Sequence, residues 1–188
     1  MYCLLEVLTF EDVILNYISS SISLVYRASK FAIGNCSEVW AYLLGATEVV
    51  GSTGYLTACL AIMVGPEGRA VGVEHIPELV ESSLQNIQKS AAAPLLKAGS
   101  LVLHIGDGRL GWPEYAPYDA IHVGAAAPEI PQALIDQLKP GGRLVIPVGN
   151  IFQDLQVVDK NPDGSVSIRS ETSVRYVPLT SREAQLRG

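Results

Sequence analysis

A turn of small residues, set between an apolar run and a helix-like stretch, constrains this chain most. Thr47–Val50 reads as a short strand, and Val50-Gly51-Ser52-Thr53-Gly54 turns directly into the helical stretch Tyr55–Val64. Gly65-Pro66 and Gly68 end that helix. A second apolar run, Ala70-Val71-Gly72-Val73, closes on Glu74. Strand, tight turn, helix, strand and then an acid about 20 residues past the turn is the layout of an α/β nucleotide site. The turn lets a ligand approach the backbone, and the acid accepts hydrogen bonds from ribose hydroxyls. A glycine turn alone says little. It is the order of the elements that points to a nucleoside-type ligand.

The alternation continues. Pro77 suits the first turn of a helix through Leu79, Val80, Leu84 and Ile87. Leu101–Ile105 is a third strand. Tyr118–Val123 is a fourth, near-continuously apolar as in a buried parallel strand. Ile130–Leu138 reads as a helix stopped by Pro140-Gly141-Gly142, and Leu144–Val148 as a fifth strand. Then the pattern changes. Leu155–Val158 and Val166–Arg169 flank Asn161-Pro162-Asp163-Gly164, the chemistry of a hairpin. The predicted fold is α/β, with a mostly parallel, doubly wound Rossmann-like sheet and a C-terminal antiparallel hairpin. NAD-binding dehydrogenases do not usually finish this way. Methyltransferases that use S-adenosylmethionine (AdoMet) do.

Residues 1–45 do not join the pattern. Asp12–Tyr17 and Val39–Leu44 fit short helical turns, and no motif stands out. The expected organisation is an atypical segment over 1–45, packed irregularly, and one domain over 46–188. The chain has 188 residues, 48% apolar and 17% charged, which suits a globular domain and excludes the disordered class. A net charge of −6 without a Lys/Arg cluster speaks against nucleic-acid or anionic-membrane partners. Cys3, Cys36 and Cys59 show neither metal-ligand nor disulfide spacing, as expected of a reducing compartment, here the cytosol. The apolar stretch Val13–Tyr26 is about 14 residues long, short of the roughly 20 that span a bilayer. Glu6, with no early Lys or Arg, argues against a signal peptide.

Four motifs occur in order: Gly106-Asp107-Gly108-Arg109, Tyr118–Ala126, Leu138–Leu144 and Val174–Thr180. Over about residues 48–188 they resemble the protein-L-isoaspartate O-methyltransferase family, and plant cytosolic members most. The resemblance implies a monomeric cytoplasmic enzyme of protein repair. It would move a methyl group from AdoMet to the carboxyl of isoaspartyl residues in damaged peptides and proteins. It also implies a cofactor site. Gly51, Ser52 and Gly54 form its turn, Glu74 binds the ribose, and His75 lies beside the adenine. Asp107 and Gly108 read the adenine edge, and Thr180 and Gln185 reach back from the C-terminal segment. No metal is implied. Other readings stand beside these. Asp107 also suits a turn cap. His75 and His104 suit surface or core positions, His122 a buried strand position, and Trp112 and Tyr115 loop packing.

Two departures bear on activity. The family carries a loop of the form Thr-Ile-Ser-Ala-Pro-His, with its serine at the reacting centre. Here the nearest serine-containing stretches, Ala28-Ser29-Lys30 and Cys36-Ser37-Glu38, do not match it. No catalytic residue is therefore assigned. The glycine turn is also altered. Aligned without a gap, Val50 and Ser52 replace two glycines; with a gap, one glycine is lost and Val49 replaces an acid. The expectation is an impaired enzyme. Its rivals are a non-catalytic AdoMet- or adenosine-binding or interaction module and, less favoured, a methyltransferase with another acceptor. An isoaspartyl carboxyl of pKa about 4 is already ionised at neutral pH, so no catalytic triad is expected.

Overall fold

In the computed structural model the described residues are 40–43, 54–65 and 67–187. Strands β1 (Trp40–Leu43), β2 (Ala70–Glu74), β3 (Leu101–Ile105), β4 (Tyr118–Val123), β5 (Leu138–Val148), β6 (Gln153–Lys160) and β7 (Val166–Val174) form one sheet. Its order is β3-β2-β1-β4-β5-β6-β7. The first five strands run parallel; β6 and β7 are antiparallel additions. The helices are α1 (Tyr55–Val64), α2 (Pro77–Gln88), α3 (Ala93–Ala98), α4 (Gln132–Asp136) and α5 (Arg182–Arg187).

The central strand corrects the sequence reading. Trp40–Leu43 is not a helical turn; it pairs with β2 on one side and β4 on the other, Trp40 aligning with both Ala70 and Ala120. The sheet therefore reaches into the segment expected to stand apart from it. The strand expected at Thr47–Val50 lies outside the described residues, as does residues 1–39.

Alternation along β2 separates the two faces. Val71 and Val73 join the larger core with Tyr118, Ile121, Val123, Leu144 and Ile146, closed by Leu134 of α4. Ala70 faces the other way, with Ala58 and Ala61 of α1, Ile87 of α2 and Leu101. Pro77 stands at the start of α2, where its missing N–H costs nothing. The hairpin forms around Asn161–Ser165, with Asn161 N–H donating to Ser165 O at 2.8 Å. Two expectations shift. The helix expected over Ile130–Leu138 is shorter, and Pro140-Gly141-Gly142 lies inside β5. There the pairing slips, Tyr118 opposing Leu138 but Ala120 opposing Arg143.

Candidate functional site

The parallel strands end together on one edge of the sheet, and the strand order reverses between β1 and β4. That edge is where open α/β sheets bind ligands.

Glu74 is the last residue of β2 and is only 5% exposed. Its Oε1 accepts from the Ile76 N–H at 2.9 Å and lies 3.9 Å from His75 Nε2. Burial pushes the Glu74 carboxyl above its ordinary pKa, and the Ile76 N–H and the His75 ring pull only partly back. A desolvated acid at a strand end is a functional-site candidate. His75, equally buried, hydrogen-bonds Gln185 Oε1 through Nε2 at 2.5 Å. The end of β2 is thus tied to α5. The other amide atom, Gln185 Nε2, is buried without a hydrogen-bond partner among the described residues. Burying a donor unpaired is costly, so this one suits an acceptor supplied by a ligand.

Asp107 sits beside this group. Gly106 N–H donates to the Glu74 carbonyl at 3.0 Å, which joins the ends of β2 and β3. Asp107 caps the 3₁₀ turn Gly108–Leu110, with Oδ1 accepting from Arg109 N–H at 3.0 Å. The Arg109 guanidinium also grips it, Nε at 2.9 Å from Oδ1 and Nη2 at 2.5 Å from Oδ2. The guanidinium holds the Asp107 carboxyl below its usual range, and the nearby His75 adds a smaller contribution. The turn-cap reading is therefore realised. Gly108 is buried in the same turn.

Gly54 caps α1 in the left-handed region, at φ 70°. A Cβ there would meet Ile87 Cδ1 and Ser83 Cβ, each at 2.9 Å. Only glycine lets the turn lie this close to α2. Gly51 and Ser52 lie outside the described residues.

The C-terminal segment returns across the end of β4. Ala126 N–H donates to Val177 O at 2.8 Å, and Leu179 N–H donates to Ala126 O at 2.8 Å. Thr180 follows at once, but its hydroxyl donates to Ser181 O at 3.4 Å rather than to Glu74 or His75. The structure thus gathers Glu74, His75, Gln185, Asp107 and Gly108, and places Gly54 and Thr180 on elements leading to the same edge.

Other singled-out residues pack. His104 stacks on Trp112 with ring centroids 4.1 Å apart, Tyr115 is 5.7 Å from His104, and Arg69 lies over Tyr115 at 4.7 Å. His122 is buried in β4, which pushes its pKa down to about 4. The sequence reading missed Gln153. Its Nε2 donates to Tyr176 O at 3.0 Å and to Asn150 O at 3.2 Å, and its Oε1 accepts from Tyr176 N–H at 2.6 Å. This clamp sets the start of the C-terminal return. Its one signal was a glutamine opening an apolar strand.

A buried carboxylate, an imidazole–amide pair and an unpaired amide donor at one strand edge suit a ligand rich in hydroxyls and ring nitrogens. The family model for protein-L-isoaspartate(D-aspartate) O-methyltransferase matches residues 41–184. The chain is 82% identical over 141 residues to protein-L-isoaspartate O-methyltransferase 1 of Arabidopsis thaliana, covering 75% of this chain and 61% of that protein. It is 70% identical over 141 residues to the protein-L-isoaspartate O-methyltransferase of Triticum aestivum, with the same 75% and 61% coverage. The chain thus spans 61% of the length of these two relatives. Among solved structures, a putative protein-L-isoaspartate O-methyltransferase from Plasmodium falciparum, in complex with S-adenosyl-L-homocysteine, superposes with a TM-score of 0.64 at 29% identity. That match covers 77% of this chain and 66% of the other. A second protein-L-isoaspartate O-methyltransferase gives a TM-score of 0.69 at 25% identity, covering 85% of this chain and 47% of the other.

Proposed function

Since the chain belongs to the protein-L-isoaspartate(D-aspartate) O-methyltransferase family, we propose that it binds AdoMet at the Glu74 edge and methylates the carboxyl of isoaspartyl residues in damaged peptides and proteins. The observation that carries this is the group Glu74, His75 and Gln185, a desolvated acid beside an orphaned donor where the strands end. AdoMet, when bound, supplies a methyl group on a positively charged sulfur.

Each residue has a defined task in this reading. Glu74 accepts from the ribose hydroxyls, a charge-assisted contact. His75 holds the Gln185 amide in place, which leaves Nε2 to donate to the ligand. Asp107 and Gly108 would read the adenine edge, with Arg109 fixing the orientation of Asp107. Gly54 would close the turn that approaches the cofactor, a role the family resemblance also gives to Gly51 and Ser52, and Thr180 would contact it from the C-terminal return. The acceptor carboxylate is ionised at neutral pH, so no side chain needs to remove its proton. The protein's task is orientation, which supplies roughly 7–11 kcal/mol in well-aligned systems.

The family's serine-containing loop has no counterpart in the sequence, so turnover is placed well below that of a chain carrying it. We place the protein in the cytoplasm as a monomer without nucleic-acid or membrane partners. The net charge of −6 without a Lys/Arg cluster supports the absence of nucleic-acid and anionic-membrane partners. The deciding experiment is transfer of radiolabelled methyl from saturating AdoMet to an isoaspartyl peptide, beside a form with the loop restored. Slow but real transfer is expected. Transfer within tenfold of the restored form overturns the impairment. AdoMet binding by calorimetry with no transfer from either form favours the second reading, a non-catalytic AdoMet-binding module. No AdoMet binding at all defeats both.

A further inference from the structure

Gln137 follows the last residue of α4 and is only 7% exposed. Its main-chain carbonyl accepts from Tyr118 N–H at 2.8 Å, which fixes it to the first residue of β4. Its side chain is spent on another segment. Nε2 donates to Leu110 O and Oε1 accepts from Trp112 N–H, each at 2.8 Å. Gly111, between them, has φ 65°, and a Cβ there would fall 2.4 Å from Gln137 Oε1. The backbone of Gly111 thus lies against the amide with no room for a side chain. Tyr118 adds a further tie, its hydroxyl donating to Trp112 O at 2.5 Å.

These bonds hold the far end of the turn Gly108–Leu110. The near end is held from β2, where Gly106 N–H donates to Glu74 O at 3.0 Å. Asp107 and Gly108 lie between the two ties. Leu110 N–H donates to Asp107 O at 3.0 Å, and Gly111 N–H donates to Gly108 O at 3.3 Å. A displacement of Leu110 or Gly111 is therefore passed straight to both residues. The chemistry of a purine edge makes such a displacement matter. Adenine offers an amine donor beside a ring-nitrogen acceptor, which suits a carboxylate followed by a backbone N–H. A 6-oxo purine offers the reverse order, an oxygen acceptor beside a ring N–H. A turn free to slide could match either order. A turn held at both ends can match one, and it leaves the other with unpaired groups.

We propose that Gln137 is a positioning residue for the cofactor. By pinning Leu110 and Trp112 it fixes Asp107 and Gly108 in the order that accepts a 6-amino purine and rejects a 6-oxo one. This rests on the reading of the neighbouring edge as an AdoMet site. Gln137 itself touches no ligand and acts through the turn.

The test measures binding of S-adenosylhomocysteine and S-inosylhomocysteine to the full chain by calorimetry, below the melting temperature of each variant. The parent is expected to prefer the adenosyl ligand by about a hundredfold or more, as a site built around a hydrogen-bond pattern does. Gln137→Glu keeps the acceptor for Trp112 N–H. Its ionised carboxyl cannot donate to Leu110 O, whereas the protonated carboxyl can. Burial raises such a carboxyl above its ordinary value of about 4.3. At pH 8.5 the variant's preference should fall below about tenfold. At pH 5 it should return to the parent's value at that pH. Comparing the two proteins at each pH cancels the groups they share. Gln137→Leu, which no proton can rescue, should lose the preference at both; if it does not fold, the Gln137→Glu comparison decides alone. A glutamine that serves stability only would lower the melting temperature and weaken both ligands alike. An unchanged ratio in the variants therefore overturns the proposal. So does a Gln137→Glu preference that stays low at pH 5, and so does a parent that binds both ligands equally. A parent that binds no S-adenosylhomocysteine removes the AdoMet reading and the positioning role with it. Binding with an unchanged ratio removes the positioning role alone.

Discussion

Glu74, the acid proposed to bind the ribose, is buried at a cost to stability. Its pKa is raised chiefly by burial, so the folded state holds a proton more tightly than the unfolded chain. A raised carboxyl contributes stability that is present below its unfolded pKa and lost as pH rises through the folded value. At neutral pH the ionised group therefore opposes folding. Glu74→Gln is expected to raise the melting temperature at pH 7–8, with the gain fading below about pH 4. The same change is expected to weaken AdoMet binding by about 1.5–3 kcal/mol, since a charged acceptor is lost. Thermal melts across pH and calorimetry read the two effects. A variant less stable than the parent at pH 8 would contradict the sign. Asp107 is the opposite case. Its carboxyl is already held by Arg109 and by the turn it caps. The sequence contains both of its readings, because Asp-Gly suits a turn as well as a ligand contact. Arg109 stood two residues away in plain view, yet only side-chain geometry shows that it closes on the acid.

At the scale of elements, small residues decide the fit. Gly54→Ala places a side chain at a positive φ and against Ile87 and Ser83. The left-handed conformation alone costs roughly 1–2 kcal/mol. Denaturant unfolding should show a loss of at least that size, and a loss below about 0.5 kcal/mol would mean that α1 and α2 move apart freely. Gln153→Ala removes the clamp and leaves the Tyr176 N–H without its acceptor, at a cost of about 1–3 kcal/mol. Amide exchange should then quicken along residues 176–180 but not in β2. Equal protection in parent and variant would show that the return holds without the clamp. Most elements were legible because turn residues bracket them, as Pro77 does for α2 and Asn161–Gly164 for the hairpin. β1 was not. Trp40-Ala41-Tyr42-Leu43 is too short for a period, and pairing on both sides, a tertiary effect, makes it a strand. The helix before β5 was read too long for a related reason. Gln137 leaves α4 to accept from Trp112 N–H and to donate to Leu110 O, each at 2.8 Å.

For the whole molecule, acid response separates into windows. Burial depresses the pKa of His122 to about 4. Such a group contributes stability that is complete above its unfolded value, near 6.5, and lost as pH falls toward 4. The size is on the order of 3 kcal/mol. His104, also depressed by burial, acts with the same sign, and Glu74 with the opposite one. Asp107 and Asp159, held down by arginines, act only at lower pH. His122→Gln should therefore flatten the stability profile between pH 6.5 and 4 while leaving the steeper acid limb. An unchanged slope in that window would show that His122 titrates normally.

The bond between His75 and Gln185 also has a consequence in time. Its partners are 110 residues apart in the chain. At roughly 5–20 residues per second, a ribosome emits Gln185 some 5–20 s after His75. Through that interval the chain carries His75 without the amide that holds its ring. The tie between the end of β2 and α5 is thus among the last contacts a nascent chain can make. If AdoMet binds at this edge as proposed, it can engage Gln185 only after synthesis has passed α5.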